Sequence, residues 1–424
     1  MNLMPTKADW RDAKRAPIKD LVAGITVAIV ALPLALAFGI ASGLGAESGI
    51  TTAIIAGALA AIFGGSRLQV SGPTGAMTVV LVPIVHQFGI SGVLLVGLMA
   101  GFILLVAAFA KIGEHVHRLP TSLIEGFTAG IAIVITLQQF PFIFGVAASD
   151  SEKVWAGAAD VVLRGFENLH LPSITMALVL CFVILYGSKK WAKIPFALIS
   201  VGLAAAISTF FGIDVETIGE LPARIGNFDL QFLSSGNLVA LIPSAFAVAA
   251  LAALESLLSA KVADKMRGGG EQHDSNRELF GQGIANLVVP FFGGVPATAA
   301  LARTAVNVRS EAQSKLAALT HSIVLALVIL IFAPLVAQIP LAALAGVLLA
   351  TTARMIKPRE LMKLAKESNL DALVLTCTFI ATIAIDLISA VILGLALSLA
   401  LRKTKLAAID RRYPPVDEKE TLGD

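Results

Sequence analysis

Charged residues and cysteines are both scarce in this sequence, and each shortage excludes a class of protein. Asp, Glu, Lys and Arg make up 14% of the 424 residues, while 57% are hydrophobic. Soluble domains contain about 25% charged residues, so the composition indicates an integral membrane protein. The two cysteines, Cys181 and Cys377, lie inside apolar runs, which favours packing over a disulfide or a metal site.

Motifs of metal, nucleotide and hydrolytic chemistry are also missing. The sequence has no H-E-x-x-H pattern, and the glycines at 268–270 are not followed by the Lys-Ser/Thr pair of a phosphate-binding loop. His115 and His117 make a poor metal site without further ligands. We therefore expect no enzymatic activity, no metal, no cofactor and no nucleic acid partner.

Apolar runs follow one another along nearly the whole chain, and we interpret each run of roughly 15–25 apolar residues as a membrane helix. With two interrupted stretches they give about fourteen segments, seven in each half, and an odd number per half forces the second half to insert upside down. We predict an all-α polytopic membrane protein with a 7+7 inverted repeat, at about 18–211 and 238–402. The continuous runs lie at about 18–42, 49–63, 92–110, 121–140, 172–186, 194–211, 238–263, 278–292, 316–337, 341–352, 371–385 and 387–401.

The distribution of basic residues indicates the orientation of the chain. With a cytoplasmic N-terminus, all 32 Lys and Arg residues except Lys153, Arg164 and Arg224 fall on cytoplasmic stretches, as the positive-inside rule requires. We therefore predict that both termini are cytoplasmic. Residues 407–424 are predicted to be a charged cytoplasmic tail.

Two interrupted stretches lie at corresponding places in the two halves. Residues 63–75 and 292–304 each open with Phe-Gly-Gly, pass through a few strand-like residues and re-enter an apolar run. Such interruptions indicate the binding site of an inverted-repeat transporter. We predict that segments 3 and 10 are half-helices preceded by short strands. An ordinary turn is the alternative, although irregular backbone inside a bilayer needs a cavity to satisfy it.

These half-helices predict an anion-binding site. Pro73 suits the first position of a helix, with Ser71 or Gly72 as its cap, and the N–H groups and dipole of such an end attract anions. Thr74 adds a hydroxyl donor. If the two half-helix ends face each other, Arg303 adds a guanidinium; alternatively, Arg303 lies at the cytoplasmic surface as one more basic residue.

Glu255 is the clearest single charge in the apolar core of the second half. No Lys or Arg lies within one helical turn of it, and Ser259 shares its helix face at i+4. Unpaired carboxylates inside a membrane are costly and usually functional. We predict that Glu255 and Ser259 form the ion-coupling site, with Glu255 as a proton carrier. A neutral Glu255 with a purely structural role is the alternative.

Several longer motifs, present in the same order, make the sequence resemble the SulP (sulfate permease) family of anion transporters over almost all of residues 18–405. These motifs are Ala31-Leu32-Pro33-Leu34-Ala35-Leu36-Ala37-Phe38, Gly65-Ser66-Arg67 with Val70-Ser71-Gly72-Pro73-Thr74, Leu254-Glu255-Ser256-Leu257-Leu258, His273-Asp274-Ser275-Asn276-Arg277-Glu278-Leu279 with Gly281-Gln282-Gly283, and Ala302-Arg303-Thr304-Ala305-Val306-Asn307-Val308-Arg309.

The resemblance implies the fourteen-segment fold of uracil/xanthine permeases. A core domain (segments 1–4 and 8–11) would move against a gate domain (segments 5–7 and 12–14), and the gate would form a homodimer interface. Glu255 would be the coupling residue. The residues implied at the substrate site are Leu34, Phe38, Thr74, Ala300, Leu301, Ala302 and Arg303.

Two departures from the family pattern bear on coupling and on domain content. Sodium-coupled bicarbonate members have Asp at the position of Glu255 and Thr at that of Leu301, so this chain lacks one oxygen ligand for Na⁺. Its motifs look closer to proton-coupled bacterial members of the C4-dicarboxylate carrier type. Most members also carry a C-terminal STAS domain of roughly a hundred residues. Residues 1–406 here are the expected transmembrane domain, and the STAS domain is absent, naturally or by truncation.

We therefore expect a transporter of the bacterial inner membrane that carries a small dicarboxylate, such as fumarate or succinate, by proton-coupled symport and alternating access. Its expected partners are a small inorganic or carboxylate anion, H⁺ rather than Na⁺, membrane lipid and a second copy of the chain. The alternatives are sodium- or proton-coupled transport of bicarbonate or sulfate, and uncoupled anion exchange with a structural Glu255.

Overall fold

The structure, a computed structural model, describes residues 3–114, 120–149, 151, 153–191, 194–234, 238–268 and 272–385, with a few more between 389 and 400. Three predictions therefore fall wholly or mostly outside the described residues. They concern the last membrane segment at 387–401, the tail at 407–424, and the pair His115 and His117.

Sixteen helices and two short strands make up the described chain. They are α1 (Arg11–Arg15), α2 (Pro17–Ala41), α3 (Ala46–Phe63), β1 (Ser71–Gly72), α4 (Gly75–Phe109), α5 (Thr121–Gln138), α6 (Phe140–Phe144), α7 (Val154–Glu167), α8 (Leu171–Lys190), α9 (Phe196–Phe211), α10 (Leu238–Met266), α11 (Ser275–Val288), β2 (Thr298–Ala299), α12 (Leu301–Arg309), α13 (Lys315–Ala337), α14 (Leu341–Met355), α15 (Pro358–Glu367) and α16 (Asn369–Ala384). Short 3-10 turns lie at Lys7–Trp10, Gln231–Ser234 and Val289–Phe292.

The helices have the lengths and apolar character of membrane spans. Among the described residues, eight helical stretches are long and apolar enough to cross a bilayer, and two shorter apolar helices, α9 and α16, accompany them. The predicted polytopic, mainly helical membrane protein is confirmed at this level. The count of fourteen segments and the inverted repeat stay predictions.

The predicted segments 3 and 4 are the two parts of α4. At Gly89 the backbone leaves the helical region, with φ 68° and ψ −173°, a conformation that is essentially restricted to glycine. The part before this residue is a half-helix that starts at Gly75, and the part after it runs to Phe109. A single glycine therefore separates a half-helix from a longer helix.

The two interrupted stretches meet as an antiparallel pair of strands. Ser71 of β1 lies opposite Ala299 of β2, and Gly72 lies opposite Thr298. This pairing satisfies backbone N–H and C=O groups that would otherwise be costly inside a bilayer. It also fixes the positions of both half-helices, because α4 and α12 begin within a few residues of the paired strands.

The start of the first half-helix differs from the sequence prediction. Pro73 is not the first helical residue, and neither Ser71 nor Gly72 is the cap. Thr74 is the N-cap, because its hydroxyl oxygen accepts the backbone N–H of Met77 at 3.3 Å, and the helix begins at Gly75. A threonine cap with a side-chain acceptor outweighs the preference of proline for the first helical position.

A first bundle of helices contains both half-helices. It consists of α2, α3, α4, α10, α11, α12 and α13, which pack against one another. A very close approach joins α2 and α3, where a Cβ atom on Gly49 would lie 2.0 Å from the Ala35 carbonyl oxygen and 2.8 Å from the Gly39 Cα atom. Glycine is needed at position 49 for the two backbones to come this close.

A second bundle lies beside the first. In it α5 packs against α16 and α14, and α8 packs against α14 and α9. The bundles touch where α14 meets α2 and where α5 meets α4. The division into core and gate domains and their relative movement stay predictions.

Ion pairs fasten the N-terminal segment to the first bundle. The Asp9 carboxylate accepts hydrogen bonds from both terminal nitrogens of Arg277, at 2.7 and 2.8 Å. The buried Lys315 Nζ lies 3.9 Å from Asp9 Oδ1 and donates to the Gly64 carbonyl. Burial by itself would raise the pKa of Asp9, but hydrogen bonds from Arg277 and Thr6 hold it below its usual value. The segment before α2 is thereby tied to α11 and α13.

Replacing Gly49 by Ala should lower the midpoint of thermal unfolding in detergent. The added methyl group would overlap the α2 backbone, and such overpacking costs about 1–3 kcal/mol. Gly202 in α9 is the matched control, since a Cβ atom there meets nothing within 4 Å. Gly202→Ala should be neutral or slightly stabilising. Equal effects of the two substitutions would contradict the close approach of α2 and α3.

Asp9→Asn should lower the free energy of unfolding by about 1.5–3 kcal/mol near neutral pH, because the hydrogen bonds from Arg277 lose their charged acceptor. The folded-state pKa of Asp9 lies below its usual value of 3.8. Its stabilisation is therefore complete above that pH and is lost as the pH falls through and below it. The difference between the unfolding midpoints of wild type and variant should be constant above about pH 5 and should narrow as the pH is lowered from about 4 to 3.

The matched control for this measurement is Glu311→Gln, which removes the exposed ion pair with Lys19. Because both partners of that pair are solvated, this substitution should leave the midpoint unchanged. If the unfolding midpoints of wild type and Asp9→Asn differ by the same amount at every pH, the charge of Asp9 does not stabilise the fold.

Candidate functional site

The candidate site lies where the two half-helices begin. Thr74 caps α4, whereas the N-cap of α12 is Ala300, whose side chain caps nothing. The first-turn N–H groups of α12 therefore have no side-chain acceptor, and Leu301 at this end is 49% exposed. Such an end carries partial positive charge and suits an anion.

Glu255 is hydrogen-bonded to the cap of the first half-helix. Thr74 Oγ1 donates to Glu255 Oε2 at 2.8 Å while it accepts the N–H of Met77. Glu255 belongs to α10, so this bond joins the carboxylate of one half of the chain to the half-helix of the other. A change in the charge of Glu255 would act directly on the capping residue.

Arg303 holds the residue next to Thr74. Its Nη2 donates to the Pro73 carbonyl at 2.6 Å, and its side chain is 1% exposed. The alternative that placed Arg303 at the cytoplasmic surface is therefore wrong. A Cβ atom on Gly72 would lie 2.5 Å from Arg303 Nη1, so the guanidinium occupies the space that a side chain at position 72 would need.

The site thus combines one acidic and one basic side chain within a mainly apolar bundle. Glu255 and Arg303 bind consecutive residues, Thr74 and Pro73, and their charges interact. With both side chains ionised, their charges largely cancel. With Glu255 protonated, Arg303 and two half-helix dipoles would leave the site positive.

A layer of hydroxyl groups supports the paired strands. Ser256 Oγ lies 3.1 Å from Thr298 Oγ1 and accepts the N–H of Ala299. Ser259 donates to Thr304 Oγ1 at 3.1 Å, and Thr304 Oγ1 also accepts the N–H of Val70. Ser259 therefore supports α12 and β1 rather than contacting Glu255, and its predicted coupling role stays a prediction.

Three polar side chains on one face of α11 complete this support. The Glu278 carboxylate accepts the N–H groups of Gly65 and Ser66, both at 3.0 Å. Gln282 donates to Ser71 Oγ at 2.7 Å, and the amide of Asn286 makes two hydrogen bonds with the backbone of Ala297. All three side chains are buried. Their role in holding the interrupted stretches was not predicted from the sequence, although their i, i+4, i+8 spacing places them on one polar face of the helix.

The structure brings the other predicted substrate residues close to these ends. Phe38 packs on the start of α4, since a Cβ atom on Gly75 would lie 3.1 Å from Phe38 Cε1. Leu34 lies one turn earlier on α2 and is buried. Ala302 is exposed beside Leu301, and Ala300 is half-buried. Substrate contact by any of these residues stays a prediction.

Comparison with known proteins identifies the family. The model of the sulfate permease family matches residues 18–378. "Putative sulfate transporter YvdB" of Bacillus subtilis is 38% identical over 385 residues, which cover 90% of this chain and 72% of that protein. "Bicarbonate transporter BicA" of Picosynechococcus is 33% identical over 389 residues, covering 88% of this chain and 68% of that protein.

Solved structures agree with these sequence matches. The transmembrane domain of a cyanobacterial bicarbonate transporter BicA superposes with a TM-score of 0.81 at 34% identity, covering 89% of this chain and 97% of that one. SLC26A9 gives a TM-score of 0.84 at 19% identity over 93% of this chain and 67% of that one, which supports the fold alone. The chain therefore belongs to the sulfate permease family, and it is an anion transporter rather than an enzyme.

Proposed function

We propose that this protein carries a small inorganic anion, bicarbonate or sulfate, and that protonation of Glu255 is coupled to binding of the anion. The anion would lie between the starts of α4 and α12, against the exposed first turn at Leu301 and Ala302. Alternating access would then expose this site to each side of the membrane in turn.

The hydrogen bond between Thr74 and Glu255 carries this proposal. It places a carboxylate one residue away from the carbonyl that Arg303 holds. An ionised Glu255 cancels the charge of Arg303 and repels an incoming anion. A protonated Glu255 leaves a positive site, so proton and anion favour each other's binding. Such mutual enhancement is thermodynamically reciprocal and is what symport requires.

The named relatives support an inorganic substrate. They are named as a putative sulfate transporter and as bicarbonate transporters, and they lend no support to the dicarboxylate expected from the sequence. That expectation relied on Glu255 and on the sequence around Arg303. These residues determine the charge of the site and its coupling, and they give no information about the size of the substrate. We therefore prefer the inorganic anion, which was the alternative reading.

Coupling to Na⁺ is less well supported than coupling to H⁺. The side-chain oxygens beside Glu255 are the hydroxyls of Thr74 and Thr298, and Leu301 at the start of α12 offers no side-chain oxygen. A sodium ion is held by several oxygens, whereas a proton needs only the carboxylate. The homodimer, the moving core and gate, the inner-membrane location and the cytoplasmic termini remain parts of this proposal.

Glu255→Gln should abolish coupling while it preserves translocation, because the amide imitates a permanently protonated side chain. Uptake of labelled sulfate or bicarbonate into proteoliposomes is measured with an inward proton gradient, with an inward sodium gradient, and with neither. A gradient of one pH unit should give wild type about tenfold accumulation per proton. The variant should only equilibrate the anion, at an unchanged rate of exchange.

The matched control is Glu220→Gln, which changes an exposed carboxyl outside the bundles and should accumulate anion as wild type does. External pH is held fixed, since it sets the fraction of bicarbonate. Fumarate serves as a third anion. Accumulation that follows sodium, uptake that ignores both gradients, or uptake of fumarate alone would each overturn the proposal.

Thr74→Val should reduce uptake by about tenfold or more and destabilise the protein by about 1 kcal/mol, because the helix cap and the hydroxyl donor to Glu255 are both lost. Thr74→Ser keeps both hydrogen bonds and should stay within about twofold of wild type. Uptake and thermal unfolding are measured on both variants. A valine variant that transports normally would remove Thr74 from the site.

A further inference from the structure

The helix α15 has a surface that the transport function does not use. It is a ten-residue helix, Pro358–Glu367, and none of its residues is buried. Packing within the chain therefore accounts for only part of its division into polar and apolar faces. We define the α15 surface as Arg359, Met362, Lys363, Ala365 and Lys366, all of which are exposed.

The helical repeat separates the residues of α15 into faces. At 3.6 residues per turn, Leu361 and Leu364 share one flank, and both are half-buried, since α15 packs on α16 and α5. Met362, 55% exposed, and Ala365 lie on the outer part of the apolar face. Arg359, Lys363 and Lys366 border that outer part. The exposed surface is thus an apolar strip edged by three cations.

Part of the charge on and around α15 is neutralised within the chain. Glu360 pairs with Lys357 at 2.9 Å, and Glu367 pairs with Lys363 at 3.6 Å. Arg359 and Lys366 form no ion pair with any residue that the structure describes. The α15 surface therefore carries uncompensated positive charge next to exposed apolar atoms.

The position of α15 places it at a membrane surface. It connects two apolar helices, α14 and α16, so it must lie where both of them leave the bilayer. The basic residues predict that this is the cytoplasmic side. An amphipathic helix with cations beside an apolar strip suits the boundary between headgroups and acyl chains.

Neighbouring residues extend the same chemistry. Arg354, at the end of α14, donates to Ser188 Oγ at 2.8 Å and so joins the ends of α14 and α8. Close to Ser188, Lys190 Nζ lies 4.6 Å from the ring centre of Trp191, which is 48% exposed. Tryptophan is enriched at the membrane interface. Two adjacent helix ends therefore present interfacial groups.

We propose that the α15 surface binds anionic phospholipid headgroups of the cytoplasmic leaflet, with Met362 and Ala365 among the upper acyl carbons. The phosphates would be held by Arg359 and Lys366, beside which Lys363 shares its charge with Glu367 at 3.6 Å. Each such cation favours an anionic lipid by roughly fivefold at low ionic strength. Solvated loops that merely obey the positive-inside rule need no apolar strip, and this strip distinguishes the α15 surface from them.

Nitroxide-labelled lipids test this proposal on the full chain in proteoliposomes. A bimane label is attached at position 362 through Met362→Cys, with Cys181→Ala and Cys377→Ala removing the native thiols. Quenching is compared for labelled phosphatidylglycerol and labelled phosphatidylcholine at equal mole fraction and with equal acyl chains. Phosphatidylglycerol should quench several-fold more strongly, and the preference should fall as salt is raised.

The triple variant Arg359→Gln, Lys363→Gln, Lys366→Gln should lose this preference but keep the quenching by both lipids. The matched control removes three exposed charges at and just after the end of α10, through Lys261→Gln, Lys265→Gln and Arg267→Gln. This control should keep the preference for phosphatidylglycerol. Added inorganic phosphate should not compete. Four results would overturn the proposal. They are equal quenching by both lipids in wild type, loss of the lipid preference in the control variant, no quenching by either lipid, and competition by phosphate.

Discussion

The pairing of β1 with β2 is the constraint on which the rest of the structure depends. Two chain segments stop being helical inside a bundle that is long and apolar enough to span a bilayer, where water cannot complete their hydrogen bonds. Pairing Ser71 with Ala299 and Gly72 with Thr298 satisfies part of that requirement. The remainder falls to side chains of α10 and α11, so the buried polar residues of these helices follow from the need to support two non-helical stretches.

The same support determines what the site can do. Glu278 and Asn286 hold the backbone before β1 and β2, Gln282 holds the Ser71 hydroxyl of β1, and Ser256 holds the backbone of β2. Because these side chains fix the paired strands, they also fix the starts of α4 and α12, which follow the strands within a few residues. A site made of helix ends has charge without large side chains, which leaves room for a small anion.

Much of this arrangement could be predicted from the sequence, for reasons that differ among residues. Membrane helices could be predicted from the apolar runs because length and hydropathy are enough to identify them. The two interruptions could be predicted because both begin with Phe-Gly-Gly, and glycine is typical of a break in a helix. The predicted cap of α4 was wrong. Proline favours the first position of a helix, but the Thr74 hydroxyl caps the helix one residue later by accepting the N–H of Met77. The burial of Arg303 could not be decided either, because the sequence does not show that Gly72 leaves space for the guanidinium.

That space has a consequence for how the protein tolerates change. Position 72 carries no charge, yet even a methyl group there would collide with Arg303 Nη1. An alanine at this position would therefore displace the guanidinium from the Pro73 carbonyl and alter the electrostatics of the site while every ionisable residue stayed in place. The size of one residue thus controls where a buried charge resides, and a search for damaging variants among charged positions alone would overlook it.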